Sequence, residues 1–176
     1  MRRPLTIGAI VMVVVVIGLA AFLGSRNQAP EAGEIQSPLL SHHAPRFTAT
    51  TLNGQSFSLA SEKGEIVVLN FWASWCGPCQ TEAPELTTFA WQERHAKVKL
   101  VGVVFQDDLS SAKQFQLSYG STYPSMVDPN GAIANSYGVT SPPTTFVINA
   151  KGVMVASLVG AVTAKQLESV VQKATT

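Results

Sequence analysis

The stretch that decides the fold is Ile66-Val67-Val68-Leu69-Asn70-Phe71-Trp72-Ala73-Ser74-Trp75-Cys76-Gly77-Pro78-Cys79, residues 66–79. Ile66 to Trp72 is apolar at every position but Asn70, the pattern of a central strand covered on both faces. Gln80 to His95 then reads as a helix with Leu86, Phe89 and Ala90 on one side. Both cysteines of the chain therefore stand where a buried strand hands over to a helix. A helix N-terminus presents unpaired N–H groups and about half a positive charge, which favours an anion. Cys76 gains there as a thiolate, the species that attacks disulfides. Cys79, one turn further in, can strike a mixed disulfide on Cys76 and release what it holds. Pro78 fits the first helical turn, where its missing N–H has no intrahelical partner to lose. As a structural staple the pair closes too short a loop to stabilise much. As half of a zinc site it lacks a second ligand pair.

Working outward, Val98 to Phe105 is a second buried strand, and Ser110 to Tyr119 a helix ended by Gly120. Met126-Val127 forms a short strand before the turn Asp128-Pro129-Asn130-Gly131, and Ala132 to Tyr137 a short helix. Thr144 to Asn149 and Val153 to Val159 are strands around Ala150-Lys151-Gly152. A last helix, Ala164 to Lys173, opens at Thr163 with Gln166 in capping-box spacing. On the N-terminal side, Phe47 to Leu52 and Gln55 to Leu59 flank Asn53-Gly54, which predicts a hairpin with a type I′ turn. The order is that of an α/β domain with a mixed sheet.

Twelve Lys and Arg against eleven Asp and Glu leave a formal charge of +1, with 13% of residues charged. No basic field exists to gather phosphates, so nucleic acid is not an expected partner. Leu5 to Gly24 is uncharged and rich in Val and Ile, long enough at 1.5 Å per residue to cross about 30 Å of hydrocarbon. Residues 1–24 are therefore read as one uncleaved transmembrane anchor, the alternative being a cleaved signal peptide, which has a shorter apolar centre and a small-x-small cleavage site. Arg2 and Arg3 favour the cytoplasmic side for the terminus. That puts the rest of the chain outside the cytoplasm. Residues 25–43 read as a flexible tether and 44–176 as the folded domain. His42 and His43 lie far in sequence from His95, and no metal site is expected.

The run from Asn70 to Cys79, with Glu82 and Pro84 after it, resembles the thioredoxin superfamily, specifically its membrane-anchored TlpA/ResA/CcmG branch. Val101 to Asp108 is similar to the start of this branch's central α/β insertion, and Val139 to Asn149 to its cis-proline loop. The resemblance implies a thioredoxin-like fold: a central mixed β-sheet flanked by helices, with an N-terminal hairpin and that insertion. It implies thiol:disulfide exchange with no cofactor beyond the Cys76–Cys79 pair. Protein thiols or disulfides would be the substrates, commonly apocytochrome c cysteines or their disulfide carrier, with a membrane dithiol as electron donor. Glu82, three residues after Cys79 on the same helical face, is implied to be the proton shuttle. Asn70 stands where thioredoxins usually carry an Asp, and an amide does not titrate. Pro143 matches the cis-proline beside which a peptide docks, and Trp75, Pro142 and Thr144 complete the expected substrate-binding set. Pro142 departs from the pattern because it has no N–H to offer a peptide. Asp107 and Asp108 read equally as an acidic rim or a solvated loop. The same motif also serves oxidants that form disulfides in exported proteins, and the same fold serves binding or chaperone modules. A peroxiredoxin-type peroxidase fits less well, because Trp75-Cys76 does not reproduce the usual Thr-x-x-Cys setting.

Overall fold

The computed structural model describes residues 8, 10–19 and 32–175, in two compact units, Met1–Pro30 and Glu31–Thr176. In the first, residues 10–19 are helical and exposed, and among the described residues no helix is long and apolar enough to cross a membrane. The remainder of the expected 1–24 anchor lies outside the described residues.

The second unit is built on a six-stranded sheet in the order β1 (Gly33–Glu34), β8 (Met154–Val159), β7 (Thr144–Ile148), β4 (Ile66–Trp72), β5 (Val98–Val104), β6 (Ser125–Val127). Strands β4, β5 and β6 run parallel, whereas β7 is antiparallel to β4 and β8 to β7. All seven residues of β4 are buried, as their unbroken apolarity predicts. Alternation sends Val67, Leu69 and Phe71 to one face, where they meet Phe57, Tyr137, Phe146 and Met154. Ile66 and Val68 go to the other, beneath α1 (Gly77–Gln92) and α4 (Ala164–Ala174), against Leu86, Phe89 and Leu167. A third cluster, at the C-terminal end of β4, gathers Trp72, Cys76, Cys79, Ala83 and Phe115 of α2 (Leu109–Ser118). This is the mixed-sheet α/β architecture expected, with helices packed on the sheet.

Three local readings need correction. The hairpin forms from β2 (Thr48–Thr50) and β3 (Ser56–Ser58), but Thr50 pairs with Ser56, so the loop is longer than a two-residue turn. Leu52 is buried and its N–H donates to Ser125 O at 2.8 Å, so the edge of β6 draws the loop out of the tight turn that Asn53-Gly54 alone favours. Of the expected tether 25–43, the residues from 33 on are tied to the fold, and residues 25–31 lie outside the described residues. Gly33 and Glu34 pair with Val159 and Leu158, His43 bridges Val153, and Leu39 and Leu40 pack on the core. The open edge of β8 supplies the backbone partners that fix this segment. Finally, Thr163 Oγ1 accepts from Gln166 N at 3.2 Å, but Gln166 Nε2 donates to Ala32 O at 2.8 Å instead of closing a capping box. Asp128 caps the short α3 (Ala132–Ser136), accepting from Ile133 N and Ala134 N at 3.1 and 2.9 Å.

Gly102 of β5 lies under Trp72, whose indole N–H donates to Ser125 Oγ at 3.2 Å. A Cβ there would collide with Ser125 Oγ and stand 2.6 Å from Trp72 Nε1. Gly102→Ala should therefore cost about 1–3 kcal/mol in urea unfolding. An unchanged midpoint would contradict this packing.

Candidate active site

Helix α1 begins on a sulfur. Cys76 is its N-cap, in extended conformation, and Sγ accepts the N–H of Cys79 at 3.1 Å. The two sulfurs are joined as a disulfide, and the residues are 4% and 1% exposed. Gly77 and Pro78, which cover them on the outer side of the first turn, are exposed. The strand-to-helix loop is held by the loop that leaves β5. Phe105 N donates to Trp72 O at 2.8 Å, Ser74 N to Asp107 Oδ2 at 2.6 Å, and the Trp75 indole to Gln106 O at 3.1 Å. Gln106 takes φ 45°, a left-handed conformation uncommon outside glycine, which turns its carbonyl towards Trp75. Trp75 stays 57% exposed beside the disulfide, with Leu109 also exposed at the start of α2. Asp107 is thus a brace for the cysteine loop. Asp108 caps α2 through Ser110 N and Ser111 N, and bonds from the Ser110 and Ser111 side chains and backbone hold its carboxyl below the usual range.

Glu82 lies one turn below Cys79 and is 1% exposed. Its Oε1 accepts from Asn70 Nδ2 at 2.9 Å and its Oε2 from Val162 N at 3.1 Å. Burial pushes its pKa up to about 7, against the two hydrogen bonds, which favour the ionised form. Glu85, on the next turn, accepts from Ala164 N at 2.9 Å and ties α1 to the start of α4. Asn70 also donates to Thr145 Oγ1 at 3.0 Å. The break that Asn70 makes in an apolar strand was the visible sign of this site. Thr145 and the Val162 N–H carried no sign in the sequence, because neither residue type nor spacing marks them.

The Pro142–Pro143 bond is cis. Thr144 pairs with Phe71, so this bend lies alongside the end of β4, next to the loop carrying Cys76. Pro143 is buried and its carbonyl accepts Gly160 N at 3.0 Å, while Pro142 is half-buried. Thr144 is also buried, and its hydroxyl donates to Ser141 O at 2.9 Å, so it braces the bend from within. Cys76, Cys79 and Glu82 therefore converge at the head of α1, with Trp75 and Pro142 on the accessible rim.

The elevated Glu82 pKa has a stability consequence. The folded chain binds this proton more tightly than the unfolded one, so the contribution is complete below the ordinary Glu value and lost as pH rises through about 7. Urea unfolding of the oxidised protein should show about 2–3 kcal/mol less stability from this group at pH 8 than at pH 5, a difference that Glu82→Gln abolishes. Equal pH slopes for the two proteins would contradict a buried carboxyl.

Comparison with known proteins agrees with this geometry. The AhpC/TSA family model matches residues 40–157. Thioredoxin-like protein YneN of Bacillus subtilis is 40% identical over 129 residues, covering 71% of this chain and 74% of its own length. The thiol-disulfide oxidoreductase ResA of Bacillus thuringiensis is 33% identical, covering 75% of this chain and 76% of its own. A solved structure, a secreted disulfide oxidoreductase of Mycobacterium tuberculosis homologous to DsbE, superposes with a TM-score of 0.65 at 31% identity, over 72% of this chain and 95% of that one. The chain belongs to the AhpC/TSA family of thioredoxin-like proteins, and is a thiol-disulfide oxidoreductase of the ResA/DsbE type whose redox pair is Cys76 and Cys79.

Proposed function

We propose that this oxidoreductase works as a reductant on the extracytoplasmic side of a membrane, anchored by residues 1–24, and that it keeps apocytochrome c cysteines, or their disulfide carrier, reduced for haem attachment. In the dithiol form the Cys76 thiolate attacks one sulfur of the substrate disulfide, that S–S bond breaks, and one substrate thiolate leaves. Glu82 takes the proton of the Cys79 thiol. The Cys79 thiolate then attacks Cys76 Sγ, the second substrate thiolate leaves and takes up a proton, and the enzyme is left as the disulfide. Two electrons have passed to the substrate, and a membrane dithiol returns them in the same chemistry. The disulfide itself is the redox group, so the cycle uses no cofactor.

The observation that carries the direction is the sign of the charges. Asp107 accepts from Ser74, two residues before Cys76, and Glu82 lies one turn from Cys79. Both of these side chains end in carboxyl groups. Anions beside a thiolate disfavour it, which weakens the dithiol form relative to the disulfide and makes the pair a better electron donor. The oxidising direction is favoured by the opposite, a strongly stabilised thiolate. The membrane location rests on the apolar 5–24 stretch and on Arg2 and Arg3, and the haem-site substrate on the resemblance to the TlpA/ResA/CcmG branch.

Cys79→Ala should trap substrates on Cys76 as mixed disulfides in the native cell, with c-type cytochromes or a membrane dithiol protein among them, and titration against glutathione should give a potential well below ~−180 mV. A broad set of secreted proteins together with a higher potential would identify an oxidant. Partner binding without any trapped disulfide would identify a binding module.

A further inference from the structure

Asn70, Glu82 and Thr145 come from three elements, β4, α1 and β7, and are 0%, 1% and 0% exposed. The Asn70 amide donates twice, to Glu82 Oε1 and to Thr145 Oγ1, and its own carbonyl oxygen Oδ1 is buried with no partner among the described residues. A buried carbonyl left unpaired is costly, on the order of 1–3 kcal/mol, in an interior where such groups are nearly always satisfied. The arrangement suits an ionised Glu82, both of whose oxygens face donors, Asn70 Nδ2 and Val162 N–H. It does not suit a protonated one. The acid then holds an O–H that needs an acceptor, and in the disulfide form the neighbouring sulfurs are weak acceptors. Asn70 Oδ1 is the strong acceptor at hand. A half-turn of the amide about its last torsion brings that oxygen to Glu82 and to the Thr145 hydroxyl. One amide atom is unpaired in either orientation, so the proton on Glu82 decides between them.

We propose that Asn70 is a positioning residue for the proton step, its amide donating to the Glu82 carboxylate and rotating to accept from the Glu82 carboxylic acid. A side chain that both donates and accepts can follow the proton in this way, whereas an Asp offers no such donor and a Leu offers neither. Rotation obliges the Thr145 hydroxyl to change from acceptor to donor. Thr145 adjoins Thr144, whose hydroxyl braces the cis-proline bend, so the protonation of Glu82 is registered at the foot of the docking loop.

The other groups around Glu82 do not compete for this role. On its own helix Glu85 is engaged with Ala164 N, and Cys79 is the proton donor itself in the dithiol form. From the β5–β6 side Tyr123 is buried and its phenol pushed up, so it stays neutral. From β4 and β7 the facing groups are the uncharged Asn70 and Thr145, and from the loop before α4 the Val162 N–H.

This inference rests on Glu82 as the proton carrier, and nuclear magnetic resonance of the oxidised full chain separates the two. Above the Glu82 midpoint the Asn70 side-chain amide protons should show cross-peaks to the Thr145 side chain. Below it those cross-peaks should vanish, with the midpoint of the Glu82 carboxyl carbon, and in Glu82→Gln the amide pattern should be independent of pH. Cross-peaks that persist while Glu82 titrates would overturn the rotation and leave the proton-carrier role standing. A change that also occurs in Glu82→Gln would overturn the coupling. The carrier role fails separately, if Glu82→Gln resolves mixed disulfides through Cys79 as fast as the wild type and with the same pH profile.

Discussion

The structure depends on a helix that opens against a sulfur. Strand β4 is buried along its whole length, so its end is fixed, and the chain turns within four residues into α1. One N–H of that first turn that no helical carbonyl can reach, that of Cys79, then has a partner in Cys76 Sγ. A side-chain oxygen is the usual cap. A sulfur here means that the group best served by the helix end is also the one that reacts, and that its reactivity is set by the backbone rather than by a mobile cation.

Two further constraints shape this head of the helix. On the outer side, the β5–α2 loop reaches across through Gln106 and Asp107 and holds Ser74 and Trp75, so the cysteine loop is braced while the Trp75 ring remains open to a partner. On the inner side, Glu82 is kept away from water by the sheet, and two donors compensate only part of the cost of its charge. The carboxyl consequently holds its proton near neutrality, where both protonation states are accessible to exchange chemistry. Its pairing with a neutral amide avoids the strong coupling that a second carboxylate at that depth would impose.

Much of this was legible in the sequence because the informative signals were local. The apolar run 66–72, the Cys-Gly-Pro-Cys turn and the Glu82 spacing each fall within a few residues, where periodicity and helix geometry have definite consequences. The α/β class and the mixed sheet followed from the alternation of elements. What escaped was set by contacts distant along the chain. The β1 pairing needs the free edge of β8, the hairpin loop is drawn out by Ser125, and the Gln166 side chain is claimed by Ala32. No residue type at those positions announces its partner. Within the site, Asn70 was visible as an anomaly in an apolar strand, but its ties to both Glu82 and Thr145 emerge only when three elements are brought together.

The most direct test of the helix-terminus account is the pH dependence of alkylation at Cys76 in the reduced full-length protein, followed at that residue by mass spectrometry. The account predicts a midpoint below the ~8.5 of free cysteine because of the helix end, yet well above the ~3.5 of a strongly oxidising thiol because Asp107 and Glu82 bring carboxyl groups to the same end of the helix. A midpoint at or above 8.5 would contradict stabilisation by the helix, and one near 3.5 would contradict the electrostatic setting of a reductant.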